Sequence, residues 1–205
     1  MDAVALRTMA FAHPEGLSIL LRGLAAPVAR FPIEVYNQDE GALPLAADDR
    51  ELSELARGLR FAERQAATRP LSEARRYRTW LRNAAQLRAH LGQGGLVIDP
   101  LTIGELLLRE QLRDEDGIGR GEAAGLVLAL RDRAKVVFVS SDDRACVAAG
   151  RLGAGYRTLL DVVDAWVERS HPTVREIDAV INGMRHAKFG LTHEAASALR
   201  RKARR

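Results

Sequence analysis

Apolar and polar positions alternate with helical spacing over most of the chain, broken by a few short, wholly apolar runs. The run AVAL (3–6) predicts a first strand near the chain start. GLSILLRGLA (16–25) predicts an amphipathic helix, because Leu17, Leu20, Leu21 and Leu24 fall on one stripe. PVARFP (27–32) and GLVIDP (95–100) are short, apolar and bounded by proline or glycine, which predicts strands. IEVYNQDEGAL, between them, is expected to open a helix. Residues 48 to about 91 are rich in Ala, Leu, Arg and Glu and predict helices divided at Pro70, with Leu71, Trp80, Leu81 and Leu87 facing inward.

The clearest pattern lies in the second half. LTIGELLLREQL predicts a helix after Thr102, and GEAAGLVLALRDR another beginning at Glu122. KVVFVS is β-branched and apolar throughout, hence a strand. DDRACVAAGRL predicts a helix closed by Gly153. TLLDVVDAWVERS predicts a further helix, Thr173 with Glu176 forms a capping box for the next, and Thr192 caps the last. Strands separated by helices imply an α/β protein with a parallel or mixed sheet.

Length sharpens this pattern into a candidate site. A helix from Glu122 to about Arg133 rises roughly 17 Å at about 1.5 Å per residue. A strand from Lys135 to Ser140 returns roughly 20 Å at about 3.3 Å per residue. Packed antiparallel, they bring Glu122 beside Asp142 and Asp143, at the strand end where α/β folds place ligands. Carboxylates without nearby His or Cys suit hard cations, Mg²⁺ or Mn²⁺. Each acid also has a plain structural use, as a helix cap or a first-turn acid.

Composition adds limits. At 205 residues the chain holds one α/β domain with a helical appendage. No apolar run reaches the roughly 20 residues of a membrane span. The start, MDAVALRTMAFAHPEG, has no basic segment of the kind that opens a signal peptide. Cys146 is the single cysteine, so no internal disulfide forms and a reducing, cytoplasmic setting is expected. The net charge is +4, and all basic residues except Lys135, Lys188 and Lys202 are arginine. Arginine clusters fit phosphate, so the balance accords with a nucleic-acid partner. GIGRGEAAG (117–125) lacks the spacing of a dinucleotide loop.

The stretch RGEAAGLVLALRDRAKVVFVSSDDRACVAAGRLG resembles the second half of a PIN domain, in which an acid opens a helix and an apolar strand ends in an acidic turn. The front, GLSILLRGLAAPVARFPIEVY, and the tail from Tyr156 are similar to a PIN-like subgroup found with toxin–antitoxin modules. The resemblance implies one PIN-like domain over 1–205, a three-layer fold with a central, mainly parallel sheet flanked by helices. It adds an expanded helical region at about 48–91 and a C-terminal helical extension at about 173–205. It implies a Mg²⁺- or Mn²⁺-dependent endoribonuclease, a toxin with a cognate antitoxin protein and RNA as substrate, and a homodimer.

Carried onto this chain, the family's third acid matches Glu122 and its fourth Asp143, with Asp142 beside it. These three are the implied catalytic residues. Arg120 and Arg144 are the implied substrate contacts, and Glu122, Asp143 and Glu40 the metal ligands. Two positions depart from the pattern. Arg7 stands where the first acid is expected, with Asp2 too early for a strand of ordinary length, and Gln38 stands at the second, followed by Asp39 and Glu40. An arginine there repels a divalent cation or pairs with Glu122 or Asp143. The alternative reading is therefore a catalytically degenerate PIN-like protein that binds RNA or a partner protein.

Overall fold

The computed structural model describes residues 1–37 and 52–203. The chain is mixed α/β and mostly helical, and its strands form two short parallel pairs. It divides into two compact units. The first comprises Met1–Leu6, Ala29–Arg60 and Leu96–Leu159, and the second Arg7–Val28, Phe61–Gly95 and Leu160–Arg205.

In the first unit, β1 (Ala29–Phe31) pairs with β2 (Leu96–Ile98), with Arg30 opposite Val97. β3 (Val137–Val139) pairs with β4 (Gly155–Arg157), with Phe138 opposite Tyr156. The Met1 amine donates to the Arg30 carbonyl at 3.1 Å, and the Asp2 N–H donates to the Val139 carbonyl at 2.9 Å. AVAL is not a strand but the start of helix α1 (Ala3–Ala12). The helix AVALRTMAFA is rich in Ala with Leu6 and Met9, good helix formers, and the Asp2 carboxyl caps it by accepting from the Ala5 N–H at 2.7 Å.

Helices α6 (Ile103–Asp116), α7 (Arg120–Leu130) and α8 (Asp143–Arg151) build the core of this unit. α7 is apolar around its whole circumference, which marks a helix enclosed by protein. Leu126, Val127, Phe138 and Ala148 all sit in its buried cluster. Thr102 and Glu105 form a capping box at the start of α6. Arg131, just past α7, bridges Asp99 and Glu105 and fixes the end of β2 to that cap. Gly153 takes φ +72°, the left-handed turn that stops α8.

The second unit is helical. It holds α2 (Gly16–Leu24), α4 (Leu71–Ala84), α5 (Gln86–Gly92), α9 (Leu159–Ser170), α10 (Val174–His186) and α11 (His193–Lys202). α1 and α3 (Glu54–Thr68) contribute residues to both units. Trp80 and Leu87 are buried as expected, but Leu71 is 74% exposed. It follows Pro70 as the first residue of α4, a position that leads into the helix rather than onto its buried face. The capping boxes and caps expected at Thr173 and Thr192 are present. Three glycines let backbones close in. A Cβ on Gly16, Gly23 or Gly183 would meet the Met9, Val162 or Ala12 carbonyl at 1.9, 2.2 and 2.0 Å.

Candidate active site

Three carboxyls of the first unit, those of Glu54, Asp2 and Asp142, act on a fourth, that of Glu122. Each is brought by a helix start. Asp2 caps α1, Glu54 opens α3, Glu122 lies in the first turn of α7, and Asp142 caps α8 by accepting from the Ala145 N–H at 2.8 Å. Helix starts carry partial positive charge and free N–H groups, so this arrangement tolerates several acids at close quarters.

Glu122 is the centre. Burial pushes its carboxyl up to about 7; its own backbone N–H opposes the shift, and the charges of Glu54, Asp2 and Asp142 add to it. Burial also raises the Asp2 carboxyl, against the Ser140 hydroxyl, the Ala5 N–H, the chain's own amine and the Ser141 amide. Asp2 is fully buried, and its Oδ2 has no hydrogen-bond partner. A buried carboxylate oxygen left without a donor is costly, and a site that keeps one has a use for it.

The glycines of 117–125 have a steric role here. A Cβ on Gly119 would lie 2.1 Å from Oε2 of Glu122, and one on Gly121 would lie 2.8 Å from Oε1 of Glu54. Glu122 therefore folds back over the bare N-cap of its own helix, and Glu54 rests on the second residue of that helix. These glycines make room for carboxyls, not for a nucleotide pyrophosphate.

Glu122 and Asp142 thus come together. Asp143, the first residue of α8, is exposed. Arg120 is exposed at the start of α7, and the exposed Arg144 donates to the Gly117 carbonyl at 3.3 Å, so both edge the loop before Glu122. Arg7 lies farther along α1 than Asp2, half-buried, in the residues of the second unit. Gln38 and Glu40 lie outside the described residues. Sequence reasoning set Asp2 aside as too early and missed Glu54 and Ser140. The signal for Asp2 was an acid immediately before a run of helix formers; Glu54, the first residue of α3, carried none.

Among the described residues, no three His, Cys, Asp or Glu side chains already converge as a metal cage. The donor chemistry still fits a hard divalent cation, because it offers only carboxylate oxygens, one of them orphaned and buried. No helix among the described residues is long and apolar enough to cross a membrane. No family model, curated protein or solved structure matches this chain.

Proposed function

We propose that the chain is a PIN-like, Mg²⁺- or Mn²⁺-dependent endoribonuclease of the toxin–antitoxin type, with Asp2, Glu54, Glu122 and Asp142 as its acids. The observation that carries this reading is the raised Glu122 carboxyl, on which burial and the charges of Glu54, Asp2 and Asp142 act together. In this reading Asp2 takes the place of the first acid and Glu54 that of the second, so neither Arg7 nor Gln38 leaves the set incomplete. The hydrogen bonds of Met1 to β1 and of Asp2 to β3 support it, since they set Asp2 between the two strand pairs. The strand order would then be β2, β1, residues 1–2, β3, β4.

A bound divalent ion would supply an activated water and stabilise charge on the phosphoryl oxygens. The protein's own part is to bind and orient. The four carboxyls would hold the cation, with Glu122 giving up its proton to do so. The Ser140 hydroxyl and the Ser141 amide orient Asp2. Arg120 and Arg144 draw the phosphodiester backbone towards the acids, because guanidinium groups pair with phosphate.

The test is cleavage of single-stranded RNA with Mn²⁺ by wild type and by Glu122→Gln and Glu54→Gln. Cleavage by wild type that falls about 100-fold or more in both variants supports the reading. Equal cleavage by all three overturns it. Absence of both cleavage and Mn²⁺ binding in wild type selects the degenerate binding protein instead.

A further inference from the structure

We propose that a cavity in the helical unit, apart from the acidic residues, binds one ribonucleotide through its phosphate. The cavity encloses about 260 Å³ between the end of α1, the outer side of α4 and the end of α10. Its volume is below the roughly 300–1,000 Å³ of pockets for larger ligands, so it seats a single nucleotide unit.

Its chemistry is sorted by depth. The floor is aromatic: Phe11 and Trp80 stack with ring centres 5.4 Å apart and planes 14° from parallel. Trp80 is 7% exposed, and its indole N–H has no acceptor. The rim is cationic, formed by Arg75, Arg76 and His186 with the Ser72 hydroxyl. No carboxylate lines it. Arg76 is held in place by its stack over the Tyr77 ring, 4.5 Å from the centroid, and by its bond to the Tyr77 hydroxyl. The side chains of Arg75 and His186 are exposed and make no ion pair or hydrogen bond among the described residues. Other arginines of this unit do have one: Arg69 pairs with Glu73, and Arg200 with Asp178.

This arrangement selects a ligand class. Two guanidinium groups and a histidine without a facing acid call for an anion, and the arginine fork matches phosphate. A bare inorganic anion leaves the apolar part of the cavity, lined by Phe11, Ala12 and Trp80, unfilled. A nucleotide fills it with the body of its base while its phosphate meets the arginines, and base recognition by arginine planes and aromatic side chains is general in single-stranded RNA binding. The inference rests on the ribonuclease reading only in taking RNA as the polymer that supplies the nucleotide; the residues involved are separate from the four acids.

The experiment is calorimetric titration of the full chain with adenosine 5′-monophosphate, adenosine and inorganic phosphate. The proteins are wild type, Arg75→Ala, His186→Ala and Glu122→Gln, each checked for wild-type melting. Expected are monophosphate binding by wild type and about tenfold weaker binding of adenosine and of inorganic phosphate. Arg75→Ala should weaken monophosphate binding about tenfold, the loss of one charge-assisted contact, and His186→Ala should weaken it less. Glu122→Gln should leave it unchanged. Monophosphate binding that is absent, or indifferent to Arg75→Ala, overturns the site. Adenosine binding as tightly as the monophosphate overturns the phosphate role, and inorganic phosphate binding as tightly overturns the nucleotide. A wild type that binds the monophosphate yet cleaves no RNA leaves this site standing and removes the nuclease reading alone.

Discussion

The Glu54 carboxyl rests on Gly121: a Cβ there would lie 2.8 Å from Glu54 Oε1 and 3.3 Å from its Cδ. The first turn of α3 thus delivers an acid onto the N-terminus of α7, one residue before Glu122. The contact explains how a residue with no obvious sequence signal reaches the site, and it adds to the burial that raises the Glu122 carboxyl.

Gly121→Ala separates space from charge. The atom a new Cβ would meet is the far end of a flexible side chain, so Glu54 gives way and α7 keeps its backbone. Alanine adds helix propensity of about 0.8–1.0 kcal/mol, which offsets the displacement. The melting temperature should therefore stay within a few degrees of wild type. The Glu122 carboxyl should titrate lower, because one of three repelling acids has moved, and a carboxyl-carbon NMR titration reads it. Gly183→Ala is the opposite case. Its Cβ would meet the Ala12 carbonyl at 2.0 Å, a backbone atom that cannot swing aside, and marked destabilisation is expected.

Stability without metal should fall as pH rises. Glu122 titrates at about 7 in the folded protein against 4.5 ordinarily. The folded state keeps a proton that the unfolded chain releases, so its contribution is fully present below about 4.5 and lost as pH passes 7. Allowing for partial exposure of the carboxyl, the loss is about 1–2 kcal/mol. Burial raises Asp2 in the same sense. Urea melts between pH 5 and 8 with chelator should show this slope, Glu122→Gln should flatten it, and Mn²⁺ should stabilise wild type more at pH 8 than at pH 6. A Glu122→Gln slope equal to that of wild type would count against the assignment.

Asp2 has two duties that different substitutions part. Its Oδ1 caps α1 at the Ala5 N–H, while Oδ2 is buried without a partner. Asp2→Asn keeps a capping oxygen and removes the charge. It should fold at least as stably as wild type and lose Mn²⁺-dependent stabilisation. Asp2→Ala removes both and should cost about 1 kcal/mol through the cap alone. Thermal melts with and without Mn²⁺ distinguish the two.

The part of the site that was legible in the sequence is the part set by local geometry. α7 and β3 follow each other closely, so their lengths alone bring Glu122 beside Asp142. Capping then decides between adjacent acids: Asp142 turns its oxygen to the Ala145 N–H at the helix start, and Asp143 points outward one residue on. Asp2 was obscured because AVAL reads as a strand by hydrophobicity while its residue types favour a helix. Glu54 could not be read at all. Its approach to Gly121 depends on α3 starting against the turn at Glu34 and Val35, through the Glu54 and Leu55 N–H groups at 3.2 and 3.0 Å. No periodicity reports such a contact. β4 was also missed, since Gly-Tyr-Arg becomes a strand only by pairing with β3.

Gln86 should prove the most sensitive single side chain of the helical unit. Its Oε1 accepts from the Leu17 N–H at 2.8 Å, and its Nε2 lies within bonding distance of the Ala10, His13 and Asn83 carbonyls, at 3.2, 2.7 and 2.9 Å. One amide thus satisfies the end of α1 and the start of α2, where helices leave carbonyls and N–H groups unpaired. Gln86→Glu is nearly the same shape and keeps the acceptor, but sets an anion against three carbonyls. It should destabilise by about 2–4 kcal/mol, and Gln86→Ala by about 1–3 kcal/mol. Trp80 and Trp166 both belong to this unit, so denaturation followed by tryptophan fluorescence reports on it directly. If Gln86→Glu were the milder of the two, shape rather than donor pairing would be what holds the junction of α1 and α2.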